Sequence, residues 1–487
     1  MDKKNIIFIL LATLLSFTSC KKDEAGILLE DDTNVYGYVK DDKENPIPGV
    51  VVSDGVKCVV TDNDGSYQMK VATGTRRVYI SVPSGYEIPM NNGLPKIYNN
   101  FVLVKDKPVK SDFILKKGQD SNDFTLFTLA DVQLLNSNSC TQLSEEIMPY
   151  LLKASSELLG PVIGLSLGDM VWDKMDYLQN EYPKQIRKFG FPIFHVIGNH
   201  DYDVTATTLE TSDDIFESVF GPVNWSFNYG QCHFVGFSNI GYKPGDKAGY
   251  DRAISDETLS WLKEDLSYVS KDKLIIVSMH TPSQRRYVGN ELTDYLKGSN
   301  KLYELLDGYK VLILTGHLHH NYTFDISEDI VEYNHGSLMG NHWDNNPQGI
   351  CNDGSPRGFT VYEIKGNKLA NRYYQGALND KEYQMELYSP GQYDSNVGKE
   401  NFTSVSVGDM VINVFNWHTD WTVTVNEDGN ESFLPSIKLQ DLNAYNSNFE
   451  FASDHMFKYT PKSNDWQKIT VTVKDSFGNI YSDFLNR

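Results

Sequence analysis

Five apolar runs of the chain end in side chains able to hold a cation or move a proton. Asp131 follows FTLFTLA, Asp169 follows PVIGLSLG, Asn199 and His200 follow FPIFHVIG, His280 follows KLIIVSM, and His317 with His319 follow KVLILTG. Carboxylate, amide oxygen and imidazole together suit borderline divalent cations such as Mn, Fe or Zn. Polar groups at the ends of buried strands cost stability unless something satisfies them, and a pair of metal ions would do so. His317 and His319 are two apart on extended chain, so their side chains share a face and can address neighbouring ions. Nine of the eleven histidines fall between His195 and His342. Outside the strand-end set, His195, His233, His418 and His455 read as ordinary satisfied polar groups.

What must position these groups is a sheet whose strand ends face one place. Between the apolar runs lie helical patterns: LSEEIMPYLLKASSELLG, DYLQNEYPKQIRKFG, DETLSWLKEDLSYV and ELTDYLKGSNKLYELLDGY. Strands alternating with helices predict a layered α/β domain over residues 121–375. In open α/β sheets the ligand site lies outside the carboxyl ends of the strands, where all five groups would converge. Residues 34–118 instead carry short alternating segments with turn signals, such as VYGYVKD and RRVYISVPSGY, and predict an all-β sandwich. Residues 376–487, with DWTVTVNEDG and WQKITVTVKDSFGNIY, predict a second all-β sandwich. Neither β region shows a cluster of ionisable groups, so both are expected to be supports or recognition modules.

The formal net charge of −21 argues against a nucleic-acid polymer as partner, because binding a polyanion needs clustered Lys and Arg. A small phosphorylated substrate at one locally positive site is not excluded by it. The first twenty residues have a basic start, an apolar run too short to span a bilayer, and the ending FTSC, which predicts an export signal. That ending resembles a bacterial lipobox in which Cys20 would be lipidated, although Phe17 replaces the usual Leu. Residues 21–33 are polar and acidic and read as a tether, so the expected attachment to the cell envelope is through lipid only. The remaining cysteines, Cys58, Cys140, Cys232 and Cys351, show no close pair and are expected to be free buried thiols.

The stretches DVQ (Asp131 to Gln133), GDMVWD (Gly168 to Asp173), GNHD (Gly198 to Asp201), MH (Met279, His280) and GHLH (Gly316 to His319) resemble, in order, the motifs of the calcineurin-like metallophosphoesterases. The flanking sandwiches resemble the N- and C-terminal modules of one bacterial lipoprotein branch, the first of them also transthyretin-like or carboxypeptidase-regulatory-like modules. The resemblance implies the metallophosphoesterase fold and two divalent ions bridged by Asp169. Asp131, Gln133 and His319 would complete one site, and Asn199, His280 and His317 the other. It further implies that His200 faces the phosphate as a catalytic group, with Asp201 orienting it. Most members carry His where this chain has Gln133, which softens the first metal site. Trp172 stands where purple acid phosphatases require Tyr, which disfavours that branch. His342, Trp343, Asp344 and Arg357 match a loop region lining the cleft and are candidate substrate contacts. The expected activity is hydrolysis of a phosphate monoester or diester outside the cytoplasm. The alternatives are a surface lipoprotein binding module with a vestigial metal site and a two-metal peptidase.

Overall fold

The computed structural model describes residues 28–487 apart from 106, 120, 246–248, 287–291, 344–348, 394–396, 398–402 and 450. The export signal, Cys20, residues 21–27 of the tether and Asp344 lie outside the described residues. Among the described residues no helix is long and apolar enough to cross a membrane.

In the strand Asp123–Leu129 side chains alternate between two cores, Phe124 and Leu126 entering one and Phe127 and Leu129 the other. Cover on both faces is why this run reads as continuously apolar. The strand pairs parallel with Val162–Ser166, which pairs parallel with Ile193–His195. On its other side it pairs antiparallel with Gly358–Lys365, which turns back into Lys368–Gly376. A second sheet holds four parallel strands, Cys232–Gly236, Leu274–Ser278, Lys310–Thr315 and Ile330–Asn334. Antiparallel strands Trp225–Tyr229 and Tyr322–Asp325 close its two edges. The sheets meet face to face, with Phe194 stacked on Phe227 at 4.1 Å between centroids and Phe124 against Phe234 at 5.9 Å.

Helices cover the outer faces. Met148–Ser156 and Tyr182–Ile186 pack Met148, Leu151, Tyr182 and Ile186 onto the first sheet. Asp256–Leu266 and Ser299–Leu306 pack Leu259, Trp261, Leu302 and Leu306 onto the second. The result is the layered α/β sandwich that the alternating runs predict. Two helical limits differ from the pattern. The first helical stretch begins at Ser137, because the Asn136 side chain accepts from the Ser139 amide while Ser139 Oγ accepts from the Asn136 amide, closing a capping box. The segment 291–309 is helical only over Ser299–Leu306. Before it, Leu292–Asp294 pairs as a hairpin with Gln284–Arg286, and the chain turns at Gly298 with φ +93°, a backbone region costly for any residue with a Cβ.

Two four-stranded sheets precede the α/β body and two follow it. Val35, Val52 and Tyr79 of the N-terminal pair belong to the same apolar cluster as the α/β sandwich. Trp261 shares its indole N–H between Tyr79 Oη at 3.0 Å and Ser53 Oγ at 3.2 Å, and the Asn228 amide donates to the Val82 carbonyl at 2.8 Å across the same seam. The C-terminal pair encloses its own core, with Met410, Ile412, Trp421, Val423 and Val471. Cys58, Cys140, Cys232 and Cys351 are all free, and all but the half-buried Cys140 are buried.

Candidate metal centre

The five strand ends do converge. The loops that follow them are tied backbone to backbone: the Asp131 amide donates to the Gly168 carbonyl at 3.2 Å, Gln133 to Asp169 at 2.9 Å, Asp173 to His200 at 3.1 Å and Gly316 to His280 at 2.9 Å. Asp131, Gln133, Asp169, Asp173, His317 and His319 all hold positive φ, between 45° and 71°. A non-glycine residue there carries strain that surrounding contacts must maintain, and such residues gather at functional sites. The glycines before the ligand positions permit close approach. A Cβ on Gly198 would lie 2.2 Å from Asp169 Oδ1, and one on Gly316 would lie 2.6 Å from Asp131 Oδ2.

All seven residues expected as ligands form one contiguous web. His280 Nε2 is 3.2 Å from Asn199 Oδ1, 3.3 Å from Asp169 Oδ2 and 3.2 Å from His317 Nδ1. Ligands each about 2.1 Å from one ion stand roughly 3.0–3.4 Å from each other, which is the spacing of these three atoms from His280 Nε2, and donor atoms of Asp169, His280 and His317 all lie within 4.8 Å of one another. The remaining three close on the same carboxylates. His319 Nε2 lies 3.4 Å from Asp131 Oδ1, and Gln133 Nε2 donates to Asp169 Oδ2 at 2.9 Å. Gln133 Oε1 is then left buried with no hydrogen-bond partner. An orphaned acceptor beside two carboxylates and an imidazole is what a bound cation would satisfy, so the residues present fit a metal centre.

The outer atoms of the ligands are held as well. His280 Nδ1 is 2.8 Å from the Leu167 carbonyl, which fixes the ring so that Nε2 faces the cluster. The Tyr295 hydroxyl lies 3.3 Å from His317 Nε2, leaving Nδ1 to face inward. Burial would push Asp169 up, but the imidazoles of His280, His200 and His317 hold it well below the usual carboxylate range. Burial favours neutral His280, yet Asp169 raises it to about 9, so an incoming cation would displace that proton. His317 is pushed down by burial and by His280.

His200 stands beside the cluster, not in its donor web. Its amide donates to Asp169 Oδ1 at 2.9 Å, and its ring stacks on Trp172 with centroids 4.2 Å apart. The orienting carboxylate is not the expected one. Asp173 Oδ1 lies 3.0 Å from His200 Nδ1, whereas buried Asp201 accepts the Gly198 amide at 2.9 Å and the Val171 amide at 3.2 Å. Asp201 therefore shapes the loop, with its carboxyl pushed up to about 8 by burial and by Asp169. Burial opposes protonation of His200, but Asp169 and Asp173 together hold it above the ordinary imidazole value.

Of the candidate substrate contacts, His342 reaches Trp172, with centroids 5.7 Å apart. Trp343 is buried and donates its indole N–H to the Val132 carbonyl at 2.9 Å. Arg357 lies 5.3 Å from the Trp343 ring and 3.6 Å from Glu146. Trp343 therefore braces the loop carrying Asp131 and Gln133, whereas the Arg357 Nε is buried without a hydrogen-bond partner among the described residues. Sequence reasoning missed Asp173, although it closes the GDMVWD stretch, and it missed Tyr295 and Arg252. Arg252 ends a short hairpin strand with no motif signal, and Tyr295 sits in a stretch whose periodicity points to helix.

Three family matches tile most of the chain: the N terminal of calcineurin-like phosphoesterase over residues 33–118, calcineurin-like phosphoesterase over 125–321, and the C terminal of calcineurin-like phosphoesterase over 332–481. No curated protein matches the chain. Among solved structures, similarity extends to a dimetal phosphatase from Danio rerio, at 13% identity and TM-score 0.38 over 52% of this chain and 96% of that one. A 5'-nucleotidase from Candida albicans is similar at 13% identity and TM-score 0.35, over 53% of this chain and 52% of that one. A 5'-nucleotidase precursor from Thermus thermophilus is similar at 13% identity and TM-score 0.30, over 52% and 54%. The chain thus spans about half the length of each nucleotidase.

Proposed function

The chain belongs to the calcineurin-like phosphoesterases, metal-dependent hydrolases of phosphoric esters, and on that premise we propose that it cleaves a small phosphate ester, monoester or diester, outside the cytoplasm. The observation that carries this reading is the set of donor atoms from separate strand ends at 3.2–3.3 Å spacing, beside the orphaned Gln133 Oε1. We assign Asp169 as the bridge, Asp131, Gln133 and His319 to one ion, and Asn199, His280 and His317 to the other, with Mn, Fe or Zn as candidates. A bound pair of such ions supplies Lewis acidity toward a phosphoryl group and lowers the pKa of water.

The protein's own part is positioning and proton control. Asp173 at Nδ1 keeps the proton-bearing form of His200, so Nε2 is the nitrogen left to donate to a phosphoryl or leaving-group oxygen. Trp172 against its face restricts the ring to that direction. Asp201 holds the turn that places Asn199 and His200 side by side. His342, beside Trp172, is the proposed substrate contact. The leader and Cys20 support export and attachment through lipid.

The test is metal per chain together with hydrolysis of an aryl phosphate. Two ions per chain and turnover are expected. His200→Ala should keep both ions and lose about 10²–10⁴ in turnover, the usual range for a lost general acid. Asp169→Ala should lose metal as well. Purified protein that takes up no metal and turns over nothing would favour the binding-module alternative, and a fully active His200→Ala variant would remove its assigned role.

A further inference from the structure

Beside the cluster, two hairpins form a wall that carries Arg252, which has no carboxylate partner among the described residues. Arg252 ends the strand Tyr250–Arg252, which pairs with Ile240–Tyr242. The two walls are stitched together, since the Lys297 amide donates to the Arg252 carbonyl at 3.0 Å and the Ile254 amide to the Lys297 carbonyl at 3.0 Å. The Arg252 guanidinium lies over the Tyr295 ring, 4.0 Å from its centroid, and Nε donates to the Tyr295 carbonyl at 3.3 Å. The same Tyr295 places its hydroxyl on His317 Nε2, and Tyr250 stands edge-on to His317 at 6.2 Å. Arg252 is thus pinned by the Tyr295 carbonyl, the Tyr295 ring and the Tyr250 side chain, one aromatic ring away from a proposed metal ligand.

Among the described residues no carboxylate pairs with Arg252. Its neighbour in sequence, Asp251, is engaged by Lys243 at 3.0 Å and stands 3.9 Å from Lys297. In a chain with 65 acidic and 44 basic residues, an arginine held rigid at a catalytic mouth with no acidic partner is poised for an anion from outside. A guanidinium held by stacking on Tyr295 and by a hydrogen bond to the Tyr250 side chain suits the oxygens of a phosphate or carboxylate, and its ordering is complete before the ligand arrives.

We propose that Arg252, presented by Tyr295, is a specificity-determining residue that binds a second anionic group on the substrate, a phosphate or a carboxylate next to the phosphoryl that is hydrolysed. This rests on the phosphoesterase reading and narrows it to esters or anhydrides whose leaving side is itself charged. Arg252 then discriminates in ground-state binding, whereas His200 acts on the reacting group.

The test uses the full metal-loaded chain and Arg252→Gln, first checked for equal metal content. Binding of inorganic pyrophosphate and of orthophosphate is measured by calorimetry, and kcat/KM is measured on phenyl phosphate and on 4-carboxyphenyl phosphate. Wild type should bind pyrophosphate at least tenfold tighter than orthophosphate, and Arg252→Gln should erase that advantage while changing orthophosphate affinity less than threefold. A selective KM rise on carboxyphenyl phosphate as well would identify general anion recognition. A rise confined to pyrophosphate would identify recognition of phosphate. Equal losses on singly and doubly anionic probes would place Arg252 on the transferred phosphoryl and overturn the proposal, as would no loss on any. The calorimetric arm is judged without turnover, so failure to hydrolyse any ester would count against the proposed activity and not against this subsite.

Discussion

The two β modules flank the same α/β body and are built alike, yet they are joined to it by different physics. The N-terminal module shares the body's apolar core, with Trp261 driven between Tyr79 and Ser53. An ion lattice of Arg76 and Arg77 with Asp214 and Glu217 runs along its rim. The C-terminal module keeps its own core and meets the body through buried polar groups around the loop 351–355. There Asp353 accepts the Asn321 amide at 2.7 Å and the Ser355 amide at 3.0 Å, and faces His455 Nε2 at 3.3 Å. Asn413 donates to the Asp353 carbonyl at 2.8 Å and to Asp441 Oδ2 at 2.9 Å, and Tyr388 donates to that same Asp441 oxygen at 2.6 Å. One residue away, the Asn352 amide donates to the carbonyl of His319 at 2.9 Å, and its side chain to that of Leu318 at 3.0 Å. Apolar seams are tolerant and non-directional, whereas a satisfied buried network specifies one geometry. The network borders the ligand loop, so the C-terminal module belongs to the frame of the metal centre and the N-terminal module does not.

Breaking that frame should have the largest effect. Asp353→Ala removes the acceptor for His455, Ser355 and the Asn321 amide, and each buried donor left unsatisfied costs about 1–3 kcal/mol. Thermal unfolding should shift down, and metal analysis should show loss of the ion on the His319 side with turnover lowered tenfold or more. Unchanged metal content would mean the module does not hold the ligand loop. On the other seam, Trp261→Ala should cost about 3–5 kcal/mol by cavity formation, but metal content and kcat/KM of the folded protein should stay within twofold of wild type. A matching fall in metal affinity would erase the contrast between the modules.

The smallest step, and the one that isolates the apolar seam, is a single pH unit of acid. His195 is buried among Leu94, Pro95, Ile97 and Phe220, its Nε2 has no partner, and burial pushes its pKa down to about 3. The unfolded chain takes up this proton near pH 6.5 and the folded chain only near 3. The stability from keeping His195 neutral is therefore complete above 6.5 and is lost as pH falls through that window, at about 1.4 kcal/mol per pH unit. Denaturant midpoints against pH should show this slope, and His195→Leu should remove it. An unchanged slope in the variant would assign the acid sensitivity elsewhere.

The strand-end residues were legible because type and position coincided: an isolated Asp, Asn or His immediately after an apolar run has few structural uses, and five of them in order have fewer. Cover by helices on one face and a second sheet on the other turned each strand into a continuous apolar stretch, which any hydropathy reading finds. The roles around them were less legible. Asp173 and Asp201 are equally acidic and equally near the ligand residues in sequence, and only the turn geometry, with Asp173 at φ +54°, sends one to His200 and the other to backbone amides. Trp343 carried the composition of a binding loop but spends its indole N–H on the Val132 carbonyl. Arg252 and Tyr295 are 43 residues apart and meet only because two hairpins are stitched edge to edge.

The layered α/β class and the chemical class of the centre follow from the sequence, since periodicity and residue type are local properties that burial reads directly, and the donor set is what the ordered motifs imply by resemblance. Tertiary structure decided which carboxylate stands at His200, which module borders the ligand loop, and that a guanidinium with no carboxylate partner among the described residues stands beside His317. These are matters of which side chains meet across long separations in sequence, settled by the packing of the sheets and hairpins that no local pattern encodes.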